Sequence, residues 1–300
     1  MIVTVELTRD APATYEVLTE NGRLLRYCLY GPVDGVPVVF HSGSPSTRWK
    51  RPDIIQATEE SDVRLLVHDR PGYGGSTRQP GRTVADVVAD VKMLAEAEGW
   101  ERFAVAGVSG GGPHALACAA LLPNRVTRCA VSAGIAPPLV DGPEPADDEA
   151  DPRRNKTSWL AAQGDAHLRP YVEEGAGQIM ASIEAGGPEM LSDPYAPNPA
   201  TEPPAPAKDS PASMARLRAT FVDSHDGWVD DNLAFAQDWG FGLASIDVPI
   251  SIRYGDTDER SRLQAEFLME AVKTAELHPY EGGHLQNDQA YRSMLAWLRD

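Results

Sequence analysis

Short apolar runs rich in β-branched residues recur at Arg23–Tyr30, Val36–His41, Val63–His68, Phe103–Gly107, Val126–Ser132, Pro249–Tyr254 and Glu276–Tyr280. Runs of that length, bounded by Gly, Pro and Asp, suit buried strands. Between many of them the apolar residues fall three and four apart, over Val84–Glu98, Gly110–Leu122, Leu263–Thr274 and Asp288–Leu298. That is helical periodicity. Alternating strands and helices imply a mostly parallel sheet covered on both faces, because parallel neighbours need a crossover and the crossovers carry the helices. An α/β fold is therefore expected, a mostly parallel sheet flanked by helices.

The alternation stops between about Pro138 and Asp238, where the chain turns rich in Pro, Ala, Gly and acid. We expect an inserted, mainly helical cap over 138–238, with the core formed by 1–137 and 239–300. The insert carries 19 acidic and 7 basic residues and so holds most of the chain's net charge of −17. Seven prolines between Ser192 and Pro211 exclude regular helix there and suggest an extended or mobile loop.

The strongest chemical signal is Phe103-Ala104-Val105-Ala106-Gly107-Val108-Ser109-Gly110-Gly111-Gly112, a strand that runs through Gly-x-Ser-x-Gly into a helix. Such a sharp turn strains the central residue and pushes its side chain out at the sheet edge. The flanking glycines give strand and helix the clearance to approach. The helix N-terminus adds amides and a positive dipole beside any developing oxyanion. A phosphate-binding Gly-rich turn is the rival reading of the bare pentapeptide, and the flanking strand and helix favour a serine nucleophile at Ser109.

After the strand Val36–Phe40 comes His41-Ser42-Gly43-Ser44-Pro45. Here the chain resembles the α/β-hydrolase family, whose strand ends in a His-Gly-x-Pro type loop supplying one oxyanion-hole amide. Matched residue by residue, the resemblance implies the Ser44 amide as one donor and the Gly110 amide as the other, with Gly43 beside the substrate. Ser42 stands where the family commonly has His, and His41 is read as a structural imidazole bonding neighbouring loop backbone. The turn Asp69-Arg70-Pro71-Gly72-Tyr73-Gly74-Gly75-Ser76 also resembles the family's. Side-chain to backbone hydrogen bonds give it a scaffolding role.

A serine nucleophile needs a base, and the base an orienting carboxylate, which the family orders as Ser, acid, His. Gly255-Asp256-Thr257-Asp258 and Glu281-Gly282-Gly283-His284 supply that order. The resemblance selects Asp258 and His284, with Asp256 as fallback and a turn-stabilising residue by preference, and Asp141 a remote third choice. Of the other histidines, His114 lies beneath the site and His225 in the insert; none has a partner at metal-ligand spacing.

The resemblance implies a serine hydrolase that cleaves a carboxylic ester or related acyl bond and needs no metal or organic cofactor. Carbon–carbon bond hydrolase, lactonase, thioesterase and proline-iminopeptidase-like aminopeptidase chemistries share the triad and stay open, as does a non-catalytic ligand-binding module. Serine at the elbow disfavours chemistries that need a carboxylate nucleophile. The net charge of −17 argues against a nucleic-acid or acidic-membrane partner, leaving a small-molecule acyl substrate; a homodimer stays open. No apolar run is long enough to span a bilayer, and Met1 to Asp10 lacks the pattern of a signal peptide, so a cytoplasmic location is expected. Cys28, Cys118 and Cys129 lack metal-ligand spacing and read as small core residues. Pocket-roof candidates from the insert are Trp159, Tyr171, Ile179, Met180, Phe221, Trp228 and Phe235, with Trp159 and Trp228 foremost and some of the set needed for the insert's own core. An acidic insert suits an amine-bearing substrate, although a solvated surface is the simpler account.

Overall fold

The computed structural model describes residues 13–146, 150–184, 218–221 and 224–300. The proline-rich stretch Ser192–Pro211 and the first ten residues lie outside the described residues. The sheet has eight strands in the order β1-β2-β4-β3-β5-β6-β7-β8. β1 (Thr14–Leu18) and β2 (Leu24–Tyr30) form an antiparallel hairpin, and β2 pairs antiparallel with β4 (Val63–His68). From β4 onward every pairing is parallel, through β3 (Val36–His41), β5 (Phe103–Val108), β6 (Val126–Ser132), β7 (Ile250–Gly255) and β8 (Ala275–Tyr280).

Residue parity along the central strands assigns the two faces. Val38, Phe40, Leu65, Val67, Ala104 and Ala106 point to one side, with α1 (Pro52–Glu59) and α8 (Asp288–Arg299). Val39, Leu66, Phe103 and Val105 point to the other, with α2 (Val87–Ala97), α3 (Gly112–Leu121) and α7 (Glu259–Ala271). Both faces are covered, which is why these strands read as unbroken apolar runs. Cys28, Cys118 and Cys129 are buried, and burial raises their thiols, that of Cys28 to about 11.

Two elements were not anticipated. β1 is a short edge strand with one buried residue, too small a pattern to register, although Asn21-Gly22 with Gly22 at φ +81° is a hairpin turn signal. α1 begins with Pro52 at its first turn and buries only Ala57 and Thr58. α7 starts at Glu259, four residues before the expected Leu263, because its first turn is polar and is set by a cap rather than by an apolar stripe.

Between β6 and β7 run α4 (Lys156–Ala162), α5 (Asp165–Glu184) and α6 (Asp226–Phe235). Leu168, Val172, Ala176, Ile179, Trp228 and Val229 make a cluster of their own, closed from the core side by Tyr73. Ile179 therefore serves the insert's own core. α6 belongs to both regions, since its Ala234 and Phe235 pack into the main cluster.

Candidate active site

Ser109 follows β5 at φ +51°, a left-handed conformation that a side chain rarely adopts. A Cβ on Gly107 would run into the Gly111 carbonyl, and one on Gly111 into the His41 carbonyl, so the turn closes only with glycine at both positions. Ser109 lines a cavity of about 650 Å³ together with Ser44, Gly110, Asp258, Gly283 and His284. A second cavity of about 170 Å³ on its other side again includes Ser44, Ser109 and His284, and here Gly43 as well.

His284 Nδ1 lies 2.9 Å from Asp258 Oδ2. Asp258 also caps α7, its Oδ1 accepting from the Ser261 amide at 3.0 Å, and the Ser261 hydroxyl donates to its Oδ2. Burial alone would raise this carboxyl; the hydrogen bonds from His284 and Ser261 outweigh it and hold Asp258 at about 2. An ionised Asp258 only accepts, so the proton in the Asp258–His284 bond sits on Nδ1. Ser261 was missed from sequence, although Asp-x-x-Ser at a helix start is itself a capping signal.

Asp256 Oδ1 accepts from the Gly282 amide at 2.9 Å, and the Tyr280 hydroxyl donates to the His284 carbonyl at 3.0 Å. The first bond ties the β7 and β8 loops together, which is the place expected of Asp256 as a turn residue; the second closes the β8 loop on itself. Asp141 is exposed in the insert.

Beneath the Ser44 loop lies a buried polar cluster that sequence gave no reason to expect. Asp231 of α6 is fully buried and bonds Arg70 Nη2 at 2.7 Å, Arg82 Nη2 at 2.7 Å and the Tyr73 hydroxyl at 2.9 Å. The Ser44 hydroxyl accepts from Arg70 Nη2 at 2.8 Å and donates to Asp231. Arg70 also donates to the Ser42 and Gly43 carbonyls, at 2.5 and 3.0 Å. Burial pushes the Asp231 carboxyl up, but Arg70 and Arg82 outweigh it and hold it far below the usual carboxylate range. Nearer the surface, Arg78 pairs with Asp226 and Asp230. Asp230 and Asp231 are therefore buried carboxylates paired to arginines rather than a solvated surface, and Asp226 is a partly exposed one paired to Arg78 and Arg169.

His41 is buried, and it bonds the His68 ring at 3.1 Å and lies 3.7 Å from Cys118 Sγ. Its partners are side chains of the core rather than the neighbouring loop backbone, because the end of β3 is covered by β4 and α3. Burial lowers His41, His68 and His114 and keeps all three neutral. His114 Nδ1 bonds the Gly110 carbonyl at 3.0 Å and lines neither of the two cavities. Trp228 and Phe235 line the larger cavity with Asn155, Ser158 and Asn232. Trp159 does not; its indole donates to the Gly142 carbonyl at 3.1 Å, which turns the ring away. His225 and Tyr171 are likewise absent from both walls. Among the described residues there is no group of three His, Cys, Asp or Glu side chains able to hold a metal ion, and no helix long and apolar enough to cross a membrane.

Residues 36–290 match the model of the alpha/beta hydrolase fold family. A bifunctional esterase/perhydrolase of Acinetobacter calcoaceticus is 25% identical over 272 residues, covering 89% of this chain and 91% of that protein. A non-heme chloroperoxidase of Streptomyces lividans is 32% identical over 126 residues, 41% of this chain; the match spans 46% of that relative's length. Among solved structures, an enol-lactonase from Burkholderia xenovorans superposes with a TM-score of 0.63 at 19% identity, over 93% of this chain and 96% of that one.

Proposed function

The chain belongs to the α/β-hydrolase-fold family, and from that premise we propose that it is a serine hydrolase cleaving a carboxylic ester or related acyl bond through an acyl-enzyme. One observation carries the reading: Ser109, held at φ +51°, shares its cavities with His284, whose Nδ1 is bonded to Asp258. With Nδ1–H committed to Asp258, Nε2 is the atom left to take a proton from Ser109. Ser109 Oγ attacks the acyl carbonyl, His284 receives the proton and passes it to the leaving group, and Asp258 stabilises the imidazolium. The amides of Ser44 and Gly110 are the oxyanion donors in this reading. Water then attacks the acyl-enzyme with His284 as base.

Residues 138–238 act as a cap that limits which acyl groups enter. The support is the wall of the larger cavity, to which Trp228, Asn232 and Phe235 contribute from α6. The esterase/perhydrolase relative supports acyl chemistry in the wider sense.

The test is Ser109→Ala with p-nitrophenyl esters and a fluorophosphonate label. The expected loss in kcat is on the order of 10⁶ with the fold intact, by analogy with removal of a serine nucleophile elsewhere. Turnover within tenfold of the unsubstituted protein, or labelling that survives the change, would overturn the assignment. Thioesters, lactones and aminoacyl amides assayed on the same protein identify the bond.

A further inference from the structure

The two cavities that meet at Ser109 differ in charge. Asp258 and Glu259 stand in the wall of the larger one beside Arg153 and Arg260. Among the described residues the smaller has no carboxylate in its wall and includes Lys50 and Arg51, the latter paired with Asp53 at 2.7 Å. For a protein of net charge −17 such a wall is a local reversal, placed against the proposed nucleophile.

Lys50 is half-buried, with Nζ 2.6 Å from the Ser42 hydroxyl and 4.7 Å from the centre of the Phe40 ring. An ammonium has three N–H groups, and Ser42 takes one. Among the described residues no carboxylate lies within ion-pair distance of it. Two further donors of the same wall, Trp49 Nε1 and Gln286 Nε2, are buried and have no hydrogen-bond partner among the described residues. Buried N–H groups are seldom left unpaired, so two such donors beside a lysine with N–H groups to spare point to an acceptor that is missing. Phe40, Ile54 and Tyr291 add apolar surface to the same wall.

Resting on the serine-hydrolase reading above, we propose that the smaller cavity binds a short chain ending in a carboxylate, carried by the substrate, with Lys50 as its counter-charge and Trp49 and Gln286 as donors. At about 30 Å³ per water-sized group, the volume admits roughly five or six heavy atoms, which is a carboxylate on two or three methylenes. Burial, with Arg70 and Arg51 adding to it and Asp69 and Cys28 opposing, pulls the ammonium down to about 7. An incoming carboxylate restores the charged form, so the site favours an anion over a neutral chain of equal length.

The experiment compares matched pairs of esters on the wild type, Lys50→Met and Lys50→Arg. One pair places the charge on the acyl side, the p-nitrophenyl monoester of glutaric acid against p-nitrophenyl hexanoate. The other places it on the alcohol side, 4-acetoxybutyrate against pentyl acetate. For at least one pair, the charged-to-neutral ratio of kcat/KM falls tenfold or more in Lys50→Met and is kept within threefold in Lys50→Arg. A purely structural role for Lys50 lowers both members alike and leaves the ratio unchanged in both pairs, which overturns the proposal. If neither pair is hydrolysed and Ser109 takes no fluorophosphonate label, the serine-hydrolase reading has failed on its own. Calorimetric titration with glutarate then decides the subsite: binding weakened tenfold by Lys50→Met upholds it, and equal or absent binding in both proteins overturns it.

Discussion

Asp258 and Asp231 are both held below the usual carboxylate range, by different means and at different depths. Asp258 sits at the cavity rim and owes its low value to His284 and to the cap it makes on α7. Asp231 is fully buried and is balanced by two guanidinium groups. The rim is built from two short contiguous motifs, 255–258 and 281–284. The buried cluster draws on Ser44, Arg70, Tyr73, Arg82 and Asp231, which no local pattern unites. The difference teaches a division of labour. In the proposed mechanism the rim carries the exchangeable protons, and the cluster fixes the Ser44 loop to α6, so the insert is tied to the loop of one proposed oxyanion donor.

The sharpest way to break the comparison is to change one carboxylate in each region and ask which quantity falls. Asp258→Asn favours the wrong His284 tautomer, and kcat is expected to drop on the order of 10⁴, with Asp256→Asn costing far less. Steady-state rates on one ester decide it, and a reversed ranking makes Asp256 the acid. Asp231→Ala strands Arg70 and Arg82 in the interior. Urea unfolding should show a loss of about 3–5 kcal/mol, the range for breaking a buried pair. A midpoint unchanged from the wild type would mean that the cluster does not hold α6 to the core.

The smallest effect is on the pH dependence of stability. The folded value of Asp258 lies below its unfolded value of 3.8, at about 2. Its contribution is therefore fully present above about pH 4 and is lost as pH falls through about 2. Thermal melts of the wild type and Asp258→Asn across that window should converge toward the acid end. Parallel curves would show that the bonds to His284 and Ser261 add nothing to stability.

The strand and helix periods alone determined the α/β class and the ends of β3, β4 and β6 to the residue, because strands buried on both faces must be apolar throughout. The two glycine-flanked turns and the serine elbow were equally legible, since each meets a steric demand that local sequence must satisfy: Gly107 and Gly111 at the elbow, and Gly255 against the Gly282 and Gly283 carbonyls. Tertiary structure alone decided where the acids of α6 go. Composition counts Asp226, Asp230 and Asp231 as surface charge, but a helix turned toward the core brings them onto Arg70, Arg78 and Arg82. It likewise turned Trp228 toward the cavity and Trp159 away from it, and joined Lys50, Trp49 and Gln286 around one small space. The physical reason is the same in each case. Period and turn chemistry act between residues a few positions apart, whereas the pairing of charges and the lining of a cavity depend on which face of one element meets another.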